Sequence, residues 1–89
     1  MEWIARQLTP VHAQWITGWP ATVTVNIPGL DHVLFCHATP RSDIECFTRL
    51  TPDEHLLPIF GSLPERVFVC GHTHMQVDRH MGGMRLINA

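Results

Sequence analysis

With 89 residues, 45% of them hydrophobic and 16% charged, the chain has the composition of one small globular domain, not of a disordered or fibrous segment. Its formal net charge is −2 and its six basic residues are all arginine, so no basic patch forms and nucleic acid is not an expected partner beyond a nucleotide substrate. No apolar run approaches the ~20 residues of a membrane span, and the start lacks a signal peptide's apolar core; a cytoplasmic protein with no membrane partner is expected. Three cysteines make an odd set, two of them inside apolar runs, which reads as buried free thiols and not a disulfide framework.

From Trp3 to Thr17 the chain reads as helical, with Thr9 able to cap and Pro10 suited to a first helical position, and Gly18-Trp19-Pro20 ends it. Ala21 to Asn26 alternates and is rich in β-branched residues, so it reads as a strand. Pro28-Gly29 turns the chain into a second strand, His32 to Cys36. Residues 38–50 are irregular. Thr51-Pro52-Asp53-Glu54 then has the pattern of a capping box with Thr51 as cap. That helix is expected to be short, interrupted by Pro58 and ended by Gly61 and Pro64. Arg66 to Cys70 is a third strand. Gln76 to Arg79 and Met84 to Asn88 read as an antiparallel pair about Gly82-Gly83. The order predicts an α/β layered sheet of about five strands and two helices. The first and last segments leave apolar residues without a partner surface, so residues 1–89 read as a single incomplete domain.

Chemistry concentrates where two apolar runs stop. Val67-Phe68-Val69-Cys70 is followed by Gly71-His72-Thr73-His74, and Val33-Leu34-Phe35-Cys36 by His37. In an extended backbone residues i and i+2 share a face, so His72 and His74 would point into one pocket, with Gly71 providing the bend. Two strands delivering imidazoles at their C-terminal ends suggest one shared metal site. Imidazole suits Zn, Mn, Fe, Co or Ni without choosing among them.

His37, within Phe35-Cys36-His37-Ala38-Thr39-Pro40, followed by Gly71-His72-Thr73-His74 and the ending Met84 to Ala89, resembles the closing half of the calcineurin-like metallophosphoesterases. The small prokaryotic phosphodiesterase and diadenosine-tetraphosphatase-like branch is the nearest in pattern, and the resemblance spans Ala21 onward. It implies a partial β-sandwich flanked by helices, two divalent metal ions in the full-length enzyme, and hydrolysis of phosphomono- or phosphodiester bonds by a metal-bound hydroxide. By resemblance His37 and His72 would hold one metal and His74 the other, and Arg41 could touch a substrate phosphate. The family's upstream Asp-X-His, Gly-Asp and Gly-Asn-His motifs have no counterpart, and Ala38 stands where a glycine is common. The expectation is therefore a C-terminal fragment with three metal ligands, no catalytic acid or base, and weak or no activity alone.

Two alternatives remain at this level. A small structural metal module could draw on Cys36, Cys70, His72 and His74, although paired Cys-X2–4-Cys spacing is absent. A non-catalytic interaction domain could use the Trp-rich first helix. Missing strands would leave sheet edges open, so a homo-oligomer is also an expectation.

Overall fold

The computed structural model describes residues 2–89. The chain folds as α1 (Glu2–Gln7), α2 (Pro10–Gly18), β1 (Thr22–Ile27), β2 (Asp31–Cys36), α3 (Asp53–Phe60), β3 (Val67–Cys70), β4 (Val77–Met81) and β5 (Met84–Asn88). This is an α/β architecture with a single five-stranded mixed sheet in the order β1-β2-β3-β5-β4. Among the described residues there is no second sheet; α3 supplies the opposing layer.

Both hairpins form where the turn residues place them. β1 and β2 pair antiparallel, as do β4 and β5, the latter about Gly82 and Gly83, both at positive φ. The other two pairings, β2 with β3 and β3 with β5, are parallel. Three strand C-termini therefore meet at one edge of the sheet.

The apolar runs of β2, β3 and β5 are long enough to supply both faces of the sheet. In register, Leu34, Phe68 and Leu86 form a row across the three parallel strands, each at most 4% exposed. Leu56, Ile59 and Phe60 of α3 pack on that row. Phe60 lies edge-on to Phe68 with ring centroids 5.0 Å apart, and Phe47 lies edge-on to Phe60 at 5.7 Å. Such tilted pairs add to the stabilisation from burial alone. The opposite pleat carries the row Val23, Phe35, Val69 and Ile87, whose β1 and β2 members, Val23 and Phe35, stay 46% and 38% exposed.

Three expectations about the helices need correcting. The segment from Trp3 to Thr17 is two helices, because Thr9 adopts an extended backbone and acts as N-cap, and Pro10 has no N–H to continue a helix into. The Thr9 hydroxyl accepts from the His12 N–H, and the Thr9 N–H donates to His12 Nδ1, both at 3.2 Å, so a histidine serves where a glutamate is usual. Thr51 does not cap α3. Its hydroxyl accepts from the Thr48 N–H at 2.9 Å, and Pro52 occupies the cap position without a side-chain bond. Pro58 lies inside α3 and does not interrupt it; the helix runs to Phe60 and closes where expected, on Gly61, whose N–H donates to the Leu57 carbonyl. The strand expected over Gln76 to Arg79 begins at Val77 and extends to Met81.

Ion pairs join the elements across the edge strand. Arg79 of β4 bonds Asp53 in the first turn of α3 and the carbonyls of Thr48 and Arg49. Arg85 and Asp78 form a two-pronged pair between β5 and β4. No helix of the described residues is long and apolar enough to cross a membrane.

Candidate metal centre

Because β2 and β3 are parallel neighbours, His37 and His72 emerge at the same edge. The Gly71 N–H donates to the His37 carbonyl at 2.8 Å, extending the strand pairing past both strand ends. Beyond it the two imidazoles meet, with His37 Nε2 3.0 Å from His72 Nδ1 and the rings edge-on at 4.8 Å. With neutral rings, this contact requires one nitrogen to be protonated and the other not. Two imidazole nitrogens on a common ion at bonds of ~2.1 Å would stand roughly 3.0–3.4 Å apart, so the observed separation fits a shared metal in place of the proton.

The loop that carries His72 is not extended. His72 and His74 both lie in the left-handed region, at φ +72° and +60°. The expected bend at Gly71 is absent there, since Gly71 is not among the positive-φ glycines and a Cβ on it would meet only the His37 carbonyl oxygen, at 3.8 Å. The i, i+2 argument for a common face therefore fails at its premise. His74 does not join the pair; among the described residues no group of three or more His, Cys, Asp and Glu side chains is gathered as for a metal ion. The residues fit a metal through two nitrogens, not three.

Arg41 lies beside this edge. With Trp19, Ala21, His37, Thr39 and Asp43 it lines a cavity of about 480 Å³. Its guanidinium is already engaged, donating from Nε and Nη2 to the two Glu45 oxygens at 2.9 and 2.6 Å. The Thr39 hydroxyl donates to the same carboxylate at 2.8 Å. These bonds, Arg41's first, hold the Glu45 carboxyl below the usual carboxylate range.

Two further features stand at this edge: the pair Cys36 and Cys70, which the sequence offered as buried thiols and as ligands of a structural metal module, and Asn88, which it did not single out. The thiols of Cys36 and Cys70, on the last residues of β2 and β3, contact each other; that contact draws Cys36 down against the opposing effect of burial, and together with burial it pushes Cys70 up. Cys70 Sγ also donates to the Ile87 carbonyl at 3.5 Å. All three cysteines are free. Asn88, at the end of β5, is only 2% exposed, and its Nδ2 donates to the Thr73 hydroxyl at 3.0 Å. A polar residue ending an apolar strand, with no partner in sequence, was the available signal.

Comparison with family models and with curated proteins finds no match. Among solved structures, the chain is similar to the hypothetical protein PH1004 from Pyrococcus horikoshii OT3, with a TM-score of 0.73 at 10% sequence identity over 93% of this chain. The likeness is one of fold. The chain spans about a third of that protein's length, 33%.

Proposed function

We propose that this chain is the C-terminal part of a metal-dependent phosphoesterase. The observation that carries the reading is the approach of His37 Nε2 and His72 Nδ1 to 3.0 Å at the ends of two parallel strands. Open α/β sheets bind ligands in the crevice outside the carboxyl ends of their strands, which is where this pair stands. His37 and His72 would hold one divalent metal ion, and His74, from the same loop, would serve a second one in the full-length enzyme. A bound metal would supply Lewis-acid activation of water and neutralise charge on the phosphoryl oxygens. The residues of this chain would bind and orient: the imidazole pair fixes the ion, and Arg41, held by Glu45 on the wall of the same cavity, meets a substrate phosphate.

The substrate is then a phosphate ester, mono- or diester. Three free thiols support a reducing, cytoplasmic setting. Self-association is part of the proposal as well. Edge strand β1, Thr-Val-Thr-Val-Asn-Ile, carries no charge or proline, whereas the opposite edge strand, β4, carries Asp78, Arg79 and His80.

Calorimetric titration of the full chain with Mn2+ and Co2+ tests the metal assignment. His37→Ala and His72→Ala are expected to weaken the same binding event at least tenfold, with a smaller effect for His74→Ala. Turnover of bis-p-nitrophenyl phosphate should be slow and lost in the first two variants. Wild-type affinity in both would remove the assignment.

A further inference from the structure

We propose that Asn88 is a positioning residue that holds the Gly71–His74 loop in the shape that presents its imidazoles; this rests on the reading of His37 and His72 as metal ligands.

The argument begins with an unusual choice of residue. Asn88 ends β5 opposite Cys70, and its other cross-strand partner is Val77, so its surroundings in the sheet are apolar. Asparagine is depleted from strands, and a buried carboxamide must find partners or lose stability. Here only half of it does. Nδ2 donates to Thr73 Oγ1 at 3.0 Å, while Oδ1 is buried without a partner. A valine or leucine would suit the strand better, so the gain from asparagine lies in the bond to Thr73.

Thr73 is the residue between the two histidines. Its hydroxyl, fixed by Asn88, accepts from the Met75 N–H at 3.4 Å, and its own N–H donates to the Gly71 carbonyl at 2.9 Å. On either side His72 and His74 occupy left-handed backbone, which residues other than glycine hold only when their surroundings impose it. The bond from Asn88 is a constraint of that kind that reaches the loop from a different strand. On the β3 side the Ala89 N–H donates to the Cys70 carbonyl at 2.9 Å, so β5 itself is fastened at the same level. The relay Asn88–Thr73–Met75 therefore ties the loop's only hydroxyl to the rigid end of the sheet. Groups that orient ligands from behind in this way commonly change metal affinity 10- to 100-fold, about, when removed.

Asn88→Leu keeps the packing and removes the donor; Thr73→Val keeps the shape and removes the hydroxyl; Thr73→Ser keeps the hydroxyl. Each is examined in the full chain by amide exchange and backbone shifts of residues 71–75 without metal, and by Co2+ titration. The expected result is faster exchange at Thr73 and Met75, shifted His72 and His74 signals, and at least tenfold weaker Co2+ binding in the first two variants. Thr73→Ser should restore all three. An unchanged loop in Thr73→Val overturns the proposal, as does Co2+ affinity equal to wild type in both variants. A wild-type chain that binds no Co2+ removes the metal reading, and the loop signals then decide the role of Asn88 alone. If Asn88→Leu does not fold, the Thr73 pair carries the test.

Discussion

His72 and His74 sit at φ +72° and +60°, while Gly71, the residue that looks built for a bend, has no positive φ. Left-handed backbone costs an L-residue about 1–2 kcal/mol, so the loop stores its strain at His72 and His74 and none at the glycine. Gly71→Ala should accordingly shift stability by less than about 0.5 kcal/mol, because the new Cβ meets only the His37 carbonyl oxygen at ordinary contact distance, 3.8 Å. Gly83→Ala is the contrast. Gly83 lies at φ +84° with Arg66 Nη1 3.1 Å from where a Cβ would sit, and its replacement should lose more than about 1 kcal/mol. Urea unfolding of the two variants checks the pair; equal losses would mean that the backbone at 71 is more constrained than its geometry indicates. An imidazole after an apolar run is visible in one dimension, so the positions of His37 and His72 beyond the ends of β2 and β3 were legible, although their contact was not. Which residue takes the left-handed conformation was not legible, because it depends on bonds from Asn88 and His37, 15 and 35 positions away from Thr73 and His72.

At the scale of elements, the segment between β2 and α3 is ordered by side chains and not by regular structure. The Thr39 N–H donates to the Ser42 carbonyl at 2.9 Å, and Glu45 closes the turn by accepting from Arg41 and Thr39. With its folded pKa held below the ordinary value, Glu45 stabilises this turn fully above the unfolded carboxylate pKa, and that stabilisation is lost as pH falls through the lowered folded value. Amide protection at Thr39 should therefore be constant from neutral pH into the mildly acidic range and fall below it. Glu45→Gln should show low protection with no such step, and a wild-type profile in that variant would assign the order to something else. This arrangement was only partly readable. Residues 38–50 lack periodicity, which correctly marks them irregular, but the Arg41 guanidinium read as a phosphate ligand is engaged first by Glu45. The cap expected for α3 failed similarly, whereas Thr9 caps α2 as its sequence indicates: a capping box is a local pattern, and the Thr51 hydroxyl went to Thr48 instead. Strands were legible because burial on both faces demands unbroken apolar runs, as in Val67 to Cys70.

For the molecule as a whole, one face of the sheet is covered by α3, while on the other Val33 and Val67 are buried but the β1 side stays open. No residue of α1 or α2 is buried, and Trp3, Trp15 and Trp19 are 70%, 60% and 68% exposed. Val23, Val25 and Phe35 add an exposed apolar strip on the pleat opposite α3. The hydrophobic effect acts against such a surface in water, so the chain should cover it when concentration allows. All the tryptophans are outside the core, which contains Phe47, Phe60 and Phe68 as its aromatic residues, and this separates two optical signals. Unfolding in dilute solution should abolish the far-ultraviolet circular dichroism of the sheet while leaving tryptophan emission close to that of hydrated indole throughout. Raising the protein concentration should move the emission to shorter wavelength before any change in dichroism, if copies meet through the helices. A concentration-independent red emission that persists alongside sedimentation as a larger species would instead place the contact at the open β1 edge, away from the indoles. A blue-shifted emission from a monomer at the lowest concentration would contradict the exposed helices outright, because it requires the indoles to be packed against the chain's own surface.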